Sequence, residues 1–118
     1  MKISKVAEIL DAQIVACRDF SEHEVCSACG SDMMSDVLAF VKDQAVLLTG
    51  LVNSQVIRTA EMMDMRCVVF VRSKQPTPDM LALAEECGIV VMTSKKRMYE
   101  ACGLLYSSGL NNLSVRED

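Results

Sequence analysis

The sequence predicts a three-layer α/β/α fold with a mainly parallel sheet, and two observations carry this prediction. From residue 45 onward, three short apolar runs rich in β-branched residues alternate with segments whose apolar residues recur at helical spacing. The short runs are apolar at nearly every position, which is typical of strands covered by helices on both faces. Right-handed crossovers between such strands place the helices on the two sides of a parallel sheet.

Each element can be expected in order along the chain. The first 44 residues predict a helix at 4–11, a strand at 13–17, a charged loop at 18–24, a strand at 25–29 and a helix at 32–42. The repeating part predicts strands at 45–49, 67–71 and 89–93, helices at 53–65 and 77–87, and a last helix that opens at Ser94. The helix at 77–87 has the clearest end signals, which are Thr77 as N-cap, Pro78 in the first turn and Gly88 after the last turn.

Length and composition exclude several classes of protein. A chain of 118 residues with 51% hydrophobic residues can bury one core, so we expect one domain over residues 1–110 and a polar tail at 111–118. The formal net charge of −4 gives no general attraction to nucleic acid, and the apolar runs are too short to span a membrane. Charges at Lys2, Lys5 and Glu8 are unlike a secretory signal, so a cytoplasmic protein is expected.

Cysteine and histidine are the candidates for metal or redox chemistry. Cys26 and Cys29 have the spacing of a metal-binding or redox pair, and Cys17 would complete a three-thiol cluster. On a strand at 25–29, however, residues three apart point to opposite faces, which favours core packing of these thiols. His23 lies in a charged loop, where histidine is usually solvated. We therefore expect no metal and no cofactor, and keep a thiol redox or metal accessory role as a third interpretation.

Catalytic motifs are not found in the sequence. It has no Gly-x-x-x-x-Gly-Lys-Ser/Thr loop for ATP, and no nucleophile–base pair or carboxylate pair can be placed together. No Asp is expected at the carboxyl end of a parallel strand, which argues against a phospho-acceptor receiver domain. The sequence therefore predicts a protein that is not an enzyme.

Polar and cationic residues follow the three strands of the repeating part. The candidate ligand-binding residues are Thr49, Gly50, Asn53, Arg72, Ser73, Thr93, Ser94 and Lys95. Because parallel strands end at one edge of the sheet, these residues are expected to meet there. A helix that opens at Ser94 also places Lys95, Lys96 and Arg97 in its first turn, where the helix dipole disfavours cations and a bound anion would relieve the conflict. Solvated cations, or cations paired with a neighbour's acidic residues, are the alternative.

The predicted helix at 53–65 has a wider apolar face than packing against one sheet requires. Its inward stripe consists of Val56, Ile57, Ala60 and Met63. Met62 and Met65 widen that stripe, which indicates either more core or a contact between subunits. A homodimer is the expected assembly.

Four stretches of the chain carry a family likeness. They read Cys29-Gly-Ser-Asp-Met-Met-Ser-Asp-Val-Leu38, Ala45-Val-Leu-Leu-Thr-Gly50, Pro76-Thr-Pro-Asp-Met-Leu-Ala-Leu-Ala-Glu-Glu-Cys-Gly-Ile-Val-Val91 and Gly103-Leu-Leu-Tyr106. In this combination and order they resemble the DRTGG-domain family, both its stand-alone bacterial members and the N-terminal domain of HPr kinase/phosphorylase. The resemblance covers nearly all of residues 4–110. It implies an α/β fold, frequent homodimerisation and a regulatory or accessory role, with no established catalytic activity of the domain alone.

The chain departs from that family at the two motifs behind its name. Many members have Gly-Asp-Arg after the first long strand, where this chain has Gly50-Leu51-Val52. After the next strand they have Thr-Gly-Gly, where this chain has Val71-Arg72-Ser73. Arg72 therefore stands where the family has a glycine, which predicts either a different ligand or a lost site.

Three functions remain open from the sequence. The first is a non-catalytic regulatory module that senses a small anion, a nucleotide or a phosphorylated metabolite, as a homodimer. The second is an adaptor that binds no ligand and works through protein–protein contacts. The third is the thiol or metal accessory role.

Overall fold

A five-stranded sheet forms the centre of the computed structural model, which describes residues 1–40 and 44–111. The strands are β1 (Gln13–Ala16), β2 (Ser27–Gly30), β3 (Ala45–Thr49), β4 (Cys67–Phe70) and β5 (Val90–Thr93). They lie side by side in the order β1-β5-β4-β3-β2. Strands β2 to β5 are parallel and β1 is antiparallel to β5, so the predicted mainly parallel sheet is confirmed.

Helices cover both faces of this sheet. They are α1 (Ile3–Ile9), α2 (Met34–Phe40), α3 (Ser54–Met62), α4 (Pro78–Cys87) and α5 (Met98–Ser107), with one 3₁₀ turn at Arg18–Phe20. Residues of α1 and α5 share one apolar cluster with the sheet, and residues of α2, α3 and α4 share the other. The three-layer α/β/α prediction is confirmed.

Alternation along the strands explains why the strand sequences are apolar throughout. Val46 and Leu48 of β3 pack in the cluster with α1 and α5, whereas Leu47 between them packs in the opposite cluster. Every residue of β3 and β4 is buried. Both faces therefore require apolar side chains, which is the pattern that the sequence displays.

Helix α4 has the ends that its sequence predicts. The Thr77 hydroxyl accepts a hydrogen bond from the Met80 N–H at 3.2 Å, and Pro78 occupies the first turn. Gly88 ends the helix with a φ of +72°, in the left-handed region that glycine enters without a steric penalty.

Helix α3 is shorter than predicted. It ends at Met62, because the chain turns through Asp64 at a φ of +56° and the Met65 N–H bonds the Ala60 carbonyl at 2.8 Å. Met65 is thereby 2% exposed and belongs to the core, so its assignment to a wider helix face was wrong. Met62 is 71% exposed and remains available for a subunit contact.

Other predicted boundaries also shift. Strand β2 begins at Ser27 rather than residue 25, and α2 begins at Met34 rather than Asp32. The last helix begins at Met98, four residues later than predicted, because Arg97 keeps an extended backbone at φ −78° and ψ 162°. Residues 41–42 of the predicted second helix and 112–118 of the predicted tail lie outside the described residues. No helix in the described part has the length and apolar character needed to cross a bilayer.

Candidate functional site

The carboxyl ends of β2 to β5 lie at one edge of the sheet because these four strands are parallel. The segments that leave them, at residues 31–33, 50–53, 71–77 and 94–97, therefore form one rim. Ligands of open parallel sheets gather at this edge.

At one half of the rim, the Asp32 carboxylate connects the segments that follow β3 and β4. Its Oδ1 accepts hydrogen bonds from the Gly50 N–H at 2.7 Å and from the Thr49 hydroxyl at 3.1 Å. Its Oδ2 lies 3.4 Å from Nη2 of Arg72. The expectation that no Asp lies at the carboxyl end of a parallel strand was wrong, since Asp32 comes two residues after β2. The turn-forming run Gly30-Ser31-Asp32 was the signal for it, and assigning Asp32 to a helix hid that signal.

The pKa of the Asp32 carboxyl is held below its ordinary value. The hydrogen bond from the Gly50 N–H is the main cause, and the Thr49 hydroxyl and the Arg72 charge act in the same direction. Partial burial acts in the opposite direction, but its effect is smaller and the pKa of Asp32 stays lowered. Asp32 is therefore a carboxylate at neutral pH.

Asp32→Asn is expected to lower the free energy of unfolding at pH 7, by less than about 1 kcal/mol because solvent screens exposed pairs. The Asp32 side chain is 46% exposed. Since the folded-state pKa lies below the ordinary value of 3.8, the stabilisation is present above that value and is lost as the pH falls through the folded-state pKa. Urea unfolding of both proteins from pH 7 to about pH 2 measures this difference. A difference that stays constant over this range contradicts the role given to the charge.

Arg72 and Ser73 form a strained turn after β4. Both have a φ of +59°, a conformation that costs residues other than glycine about 1–2 kcal/mol of stability each. The Arg72 N–H bonds the Lys96 carbonyl at 2.8 Å and the Ser73 N–H bonds the Ser94 carbonyl at 3.0 Å, so the loop after β5 holds the turn in place. The sequence resemblance aligns these two positions with glycines. Glycine adopts a positive φ without strain, and this chain instead places a cation and a hydroxyl there.

Gly50 makes room for Arg72. A Cβ at residue 50 would overlap Nη2 of the Arg72 guanidinium, so only glycine lets this side chain lie across the strand end. Arg72 consequently contacts the Asp32 carboxylate and also lines a cavity on the other half of the rim.

An open cavity of about 620 Å³, here called the basic pocket, lies on the other half of the rim. Its lining consists of Arg72, Ser73, Lys95, Arg97, Met98 and Tyr99, and no carboxylate contributes to it. Within residues 1–40 and 44–111, neither Lys95 nor Arg97 lies within 4.0 Å of a carboxylate oxygen. Three neighbouring cations repel one another, and a bound anion would replace that repulsion with attraction.

A second cavity of about 350 Å³, the polar pocket, adjoins the first. It shares Ser73 and Lys95 with the basic pocket, and its other lining residues are Asp11, Gln13, Gln75, Thr93 and Ser94. The amides, hydroxyls and single carboxylate of this lining can hydrogen-bond to the hydroxyl or amine groups of a ligand, and they suit these groups better than a further anion.

The structure separates the predicted ligand residues into three groups. Arg72, Ser73 and Lys95 line the basic pocket. Thr93 and Ser94 line only the polar pocket, and the Ser94 hydroxyl is already bonded to the Leu10 carbonyl at 2.8 Å.

Thr49, Gly50 and Asn53 form the third group and make structural contacts. Thr49 and Gly50 donate to Asp32, and the Asn53 side chain caps α3 by accepting from the Gln55 N–H at 2.9 Å. That any of the predicted residues binds a ligand stays a prediction.

Arg97 and Tyr99 line the basic pocket and were missing from the predicted site. Lys95, Lys96 and Arg97 precede α5 rather than occupying its first turn, so the helix-dipole argument for an anion there was wrong. Lys95 and Arg97 instead line the same pocket as Arg72. An aromatic residue two positions after the Lys-Lys-Arg run was the available signal for Tyr99.

The cysteines lie away from the basic pocket and are free thiols. Cys26 precedes β2, is exposed and donates to the Gln44 side chain at 3.0 Å, so its predicted core packing on a strand was wrong. Burial raises the pKa of Cys29 and Cys102, and burial followed by the Glu85 charge raises that of Cys17 to about 11. Protonated thiols are poor nucleophiles and metal ligands. In the described ranges, no three His, Cys, Asp or Glu residues are grouped as a metal site would require.

Comparison with known proteins yields a structural likeness. No family model matches the sequence, and no curated protein matches it. The fold matches the crystal structure of the CBS and DRTGG domains of the regulatory region of a Clostridium perfringens pyrophosphatase, complexed with its activator diadenosine tetraphosphate. The TM-score is 0.70 with 13% identity, over 91% of this chain and 46% of that chain. The fold is DRTGG-like.

A DRTGG-like fold agrees with the resemblance that the sequence motifs predict. This chain spans less than half of the matched chain, and that matched chain comes from the regulatory region of the pyrophosphatase. At 13% identity the likeness concerns the fold, so the activator is a property of the pyrophosphatase.

Proposed function

We propose that this DRTGG-like domain is a non-catalytic regulatory module that binds a small phosphorylated anion in the basic pocket and acts as a homodimer. The observation that carries the proposal is the convergence of Arg72, Lys95 and Arg97 on one open cavity without a lining carboxylate. Arg72 supplies a planar fork that matches two phosphate oxygens, and Lys95 supplies a point charge. The nucleotide activator of the matched regulatory region gives independent support for this ligand class.

A non-catalytic role is supported by the lining of the same cavity. It includes no histidine, cysteine or carboxylate that would serve as a general base. Among the residues that line the basic pocket, Ser73 and Tyr99 carry the hydroxyls, and the neighbours of Ser73 there are cations rather than bases. These groups suit binding and not proton transfer.

Lys95→Ala and Arg97→Ala are each expected to weaken binding of inorganic tripolyphosphate by about tenfold, because each removes one charge-assisted contact. Isothermal titration calorimetry at low salt measures the affinities. Arg66→Ala is the matched control, since it removes the same charge at the amino end of β4, beside His23. Wild-type protein without saturable binding at millimolar concentration, or equal losses in all three variants, overturns the proposal in favour of a ligand-free adaptor.

The homodimer is supported by exposed apolar side chains on one layer of the fold. Met33 is 61% exposed, Leu38 43% and Met62 71%. Met33 directly precedes α2, Leu38 lies on α2, and Met62 ends the neighbouring helix α3. A standard interface covers about 800 Å² per partner. The whole chain exposes 6466 Å², so an interface of that size would be a substantial fraction of its surface.

Light scattering at tens of micromolar is expected to give the mass of a dimer for the wild type and of a monomer for Met62→Lys. A buried lysine at the subunit contact would lack a partner for its charge. Tyr106→Lys, on α5 at the opposite face of the sheet, is the control and should remain a dimer. A monomeric wild type removes dimerisation from the proposal, and the anion-binding part is tested separately by the titrations.

A further inference from the structure

Tyr99 is the most exposed large apolar side chain of the described residues, at 93%. It lies in the first turn of α5, so its backbone is held while its ring projects into solvent. In the described part of the chain the one ring contact is between Phe20 and His23, and no ring stacks on Tyr99. A solvent-exposed aromatic ring can bury a large apolar area by stacking against a flat group of a ligand.

The ring lines the same cavity as the three cations. Ser73 and Lys95 line both pockets, whereas Arg72, Arg97, Met98 and Tyr99 line the basic pocket alone. At about 620 Å³ the basic pocket falls within the range of about 300–1,000 Å³ that small-molecule ligands occupy. Such a volume accommodates far more than a phosphate ion.

We infer that the phosphorylated ligand is a nucleotide, whose base stacks on the Tyr99 ring while its phosphates contact Arg72, Lys95 and Arg97; this inference rests on the proposed function. Aromatic side chains beside a cationic groove are the usual means of binding bases without reading their identity. The polar pocket is the poorer place for the phosphates, because Asp11 lines it, and for the base, because no aromatic residue lines it. The orientation with the base at Tyr99 follows from these two differences.

Titration with adenosine triphosphate, guanosine triphosphate and inorganic tripolyphosphate, without magnesium, tests the inference. Wild-type protein is expected to bind both nucleotides about tenfold more tightly than tripolyphosphate, since stacking adds to the same phosphate contacts. Tyr99→Ala should remove this preference by lowering the affinity for both nucleotides to about that for tripolyphosphate. Tyr99→Phe should keep the preference, as should Tyr106→Ala, a matched exposed tyrosine on α5 that does not line the pocket.

The possible failures are distinguishable. Equal wild-type affinity for tripolyphosphate and for the nucleotides overturns the stacking inference and leaves the proposed anion site standing. Absence of binding to all three probes overturns both. A Tyr99→Ala protein that keeps the nucleotide preference, or that changes from dimer to monomer instead, also overturns the inference, because Tyr99 then contacts something other than a base.

Discussion

Replacing Phe70 with alanine is expected to lower the free energy of unfolding by about 3–5 kcal/mol, the largest loss from any substitution considered. Phe70 is 0% exposed, ends β4 and packs in the cluster between the sheet and helices α2, α3 and α4. The loss combines the transfer free energy of the ring with the cavity that it leaves. Since domains of this size have a total stability of about 5–15 kcal/mol, this loss is a large fraction of the total. Urea unfolding with linear extrapolation measures the change.

Phe70→Leu is the control for this experiment, because it keeps an apolar side chain and leaves a smaller cavity, so its loss should be smaller than that of Phe70→Ala. The substitution also bears on the rim. The Phe70 carbonyl accepts a hydrogen bond from the Ser94 N–H at 2.9 Å, and Arg72 follows two residues later. A loss for Phe70→Ala no larger than that for Phe70→Leu contradicts the burial of the Phe70 ring between the sheet and helices α2, α3 and α4.

Ser94→Ala is expected to cost about 1–3 kcal/mol of stability, because a buried hydrogen-bonding group loses its partner. The Ser94 hydroxyl donates to the Leu10 carbonyl at 2.8 Å and accepts from the Lys96 N–H at 3.2 Å. Ser94 is 3% exposed, so water does not readily replace the lost bonds. Because the same loop supports Arg72, Ser73 and Lys95, affinity for tripolyphosphate should fall as well.

Ser107→Ala is the matched control for Ser94→Ala. Its hydroxyl also donates to a backbone carbonyl, that of Gly103 at 2.8 Å, but on the exposed surface of α5. A change within about 0.5 kcal/mol is expected there, as for most surface substitutions. Equal losses for the two variants, measured in the same urea series, would show that the Ser94 hydroxyl does not hold the loop.

Composition and local signals determined much of the fold. Strands β3 and β4 are apolar on both faces, and such runs are stable only between two layers of helices. The ends of α4 follow from Thr77, Pro78 and Gly88, whose effects act within a few residues of the chain. Predictions of this kind succeed because the interactions that decide them are local or depend only on burial.

The site depended on contacts between residues far apart in the sequence. Asp32 acquires its role from Gly50 and Arg72, which are 18 and 40 residues away. The start of α5 was mispredicted because the segment before it is held by other parts of the chain, including a bond from Ser94 to Leu10 across 84 residues.

Composition and periodicity thus determined the parallel β3–β5 sheet and its two helical layers, because burial on both faces depends only on residue type. Tertiary structure alone decided which polar residues remain available for a ligand. Thr49 and Ser94 satisfy their hydroxyls inside the fold, whereas Lys95, Arg97 and Tyr99 stay exposed around one cavity. Hydrogen-bond partners supplied by distant segments make that distinction, and sequence patterns do not encode it locally.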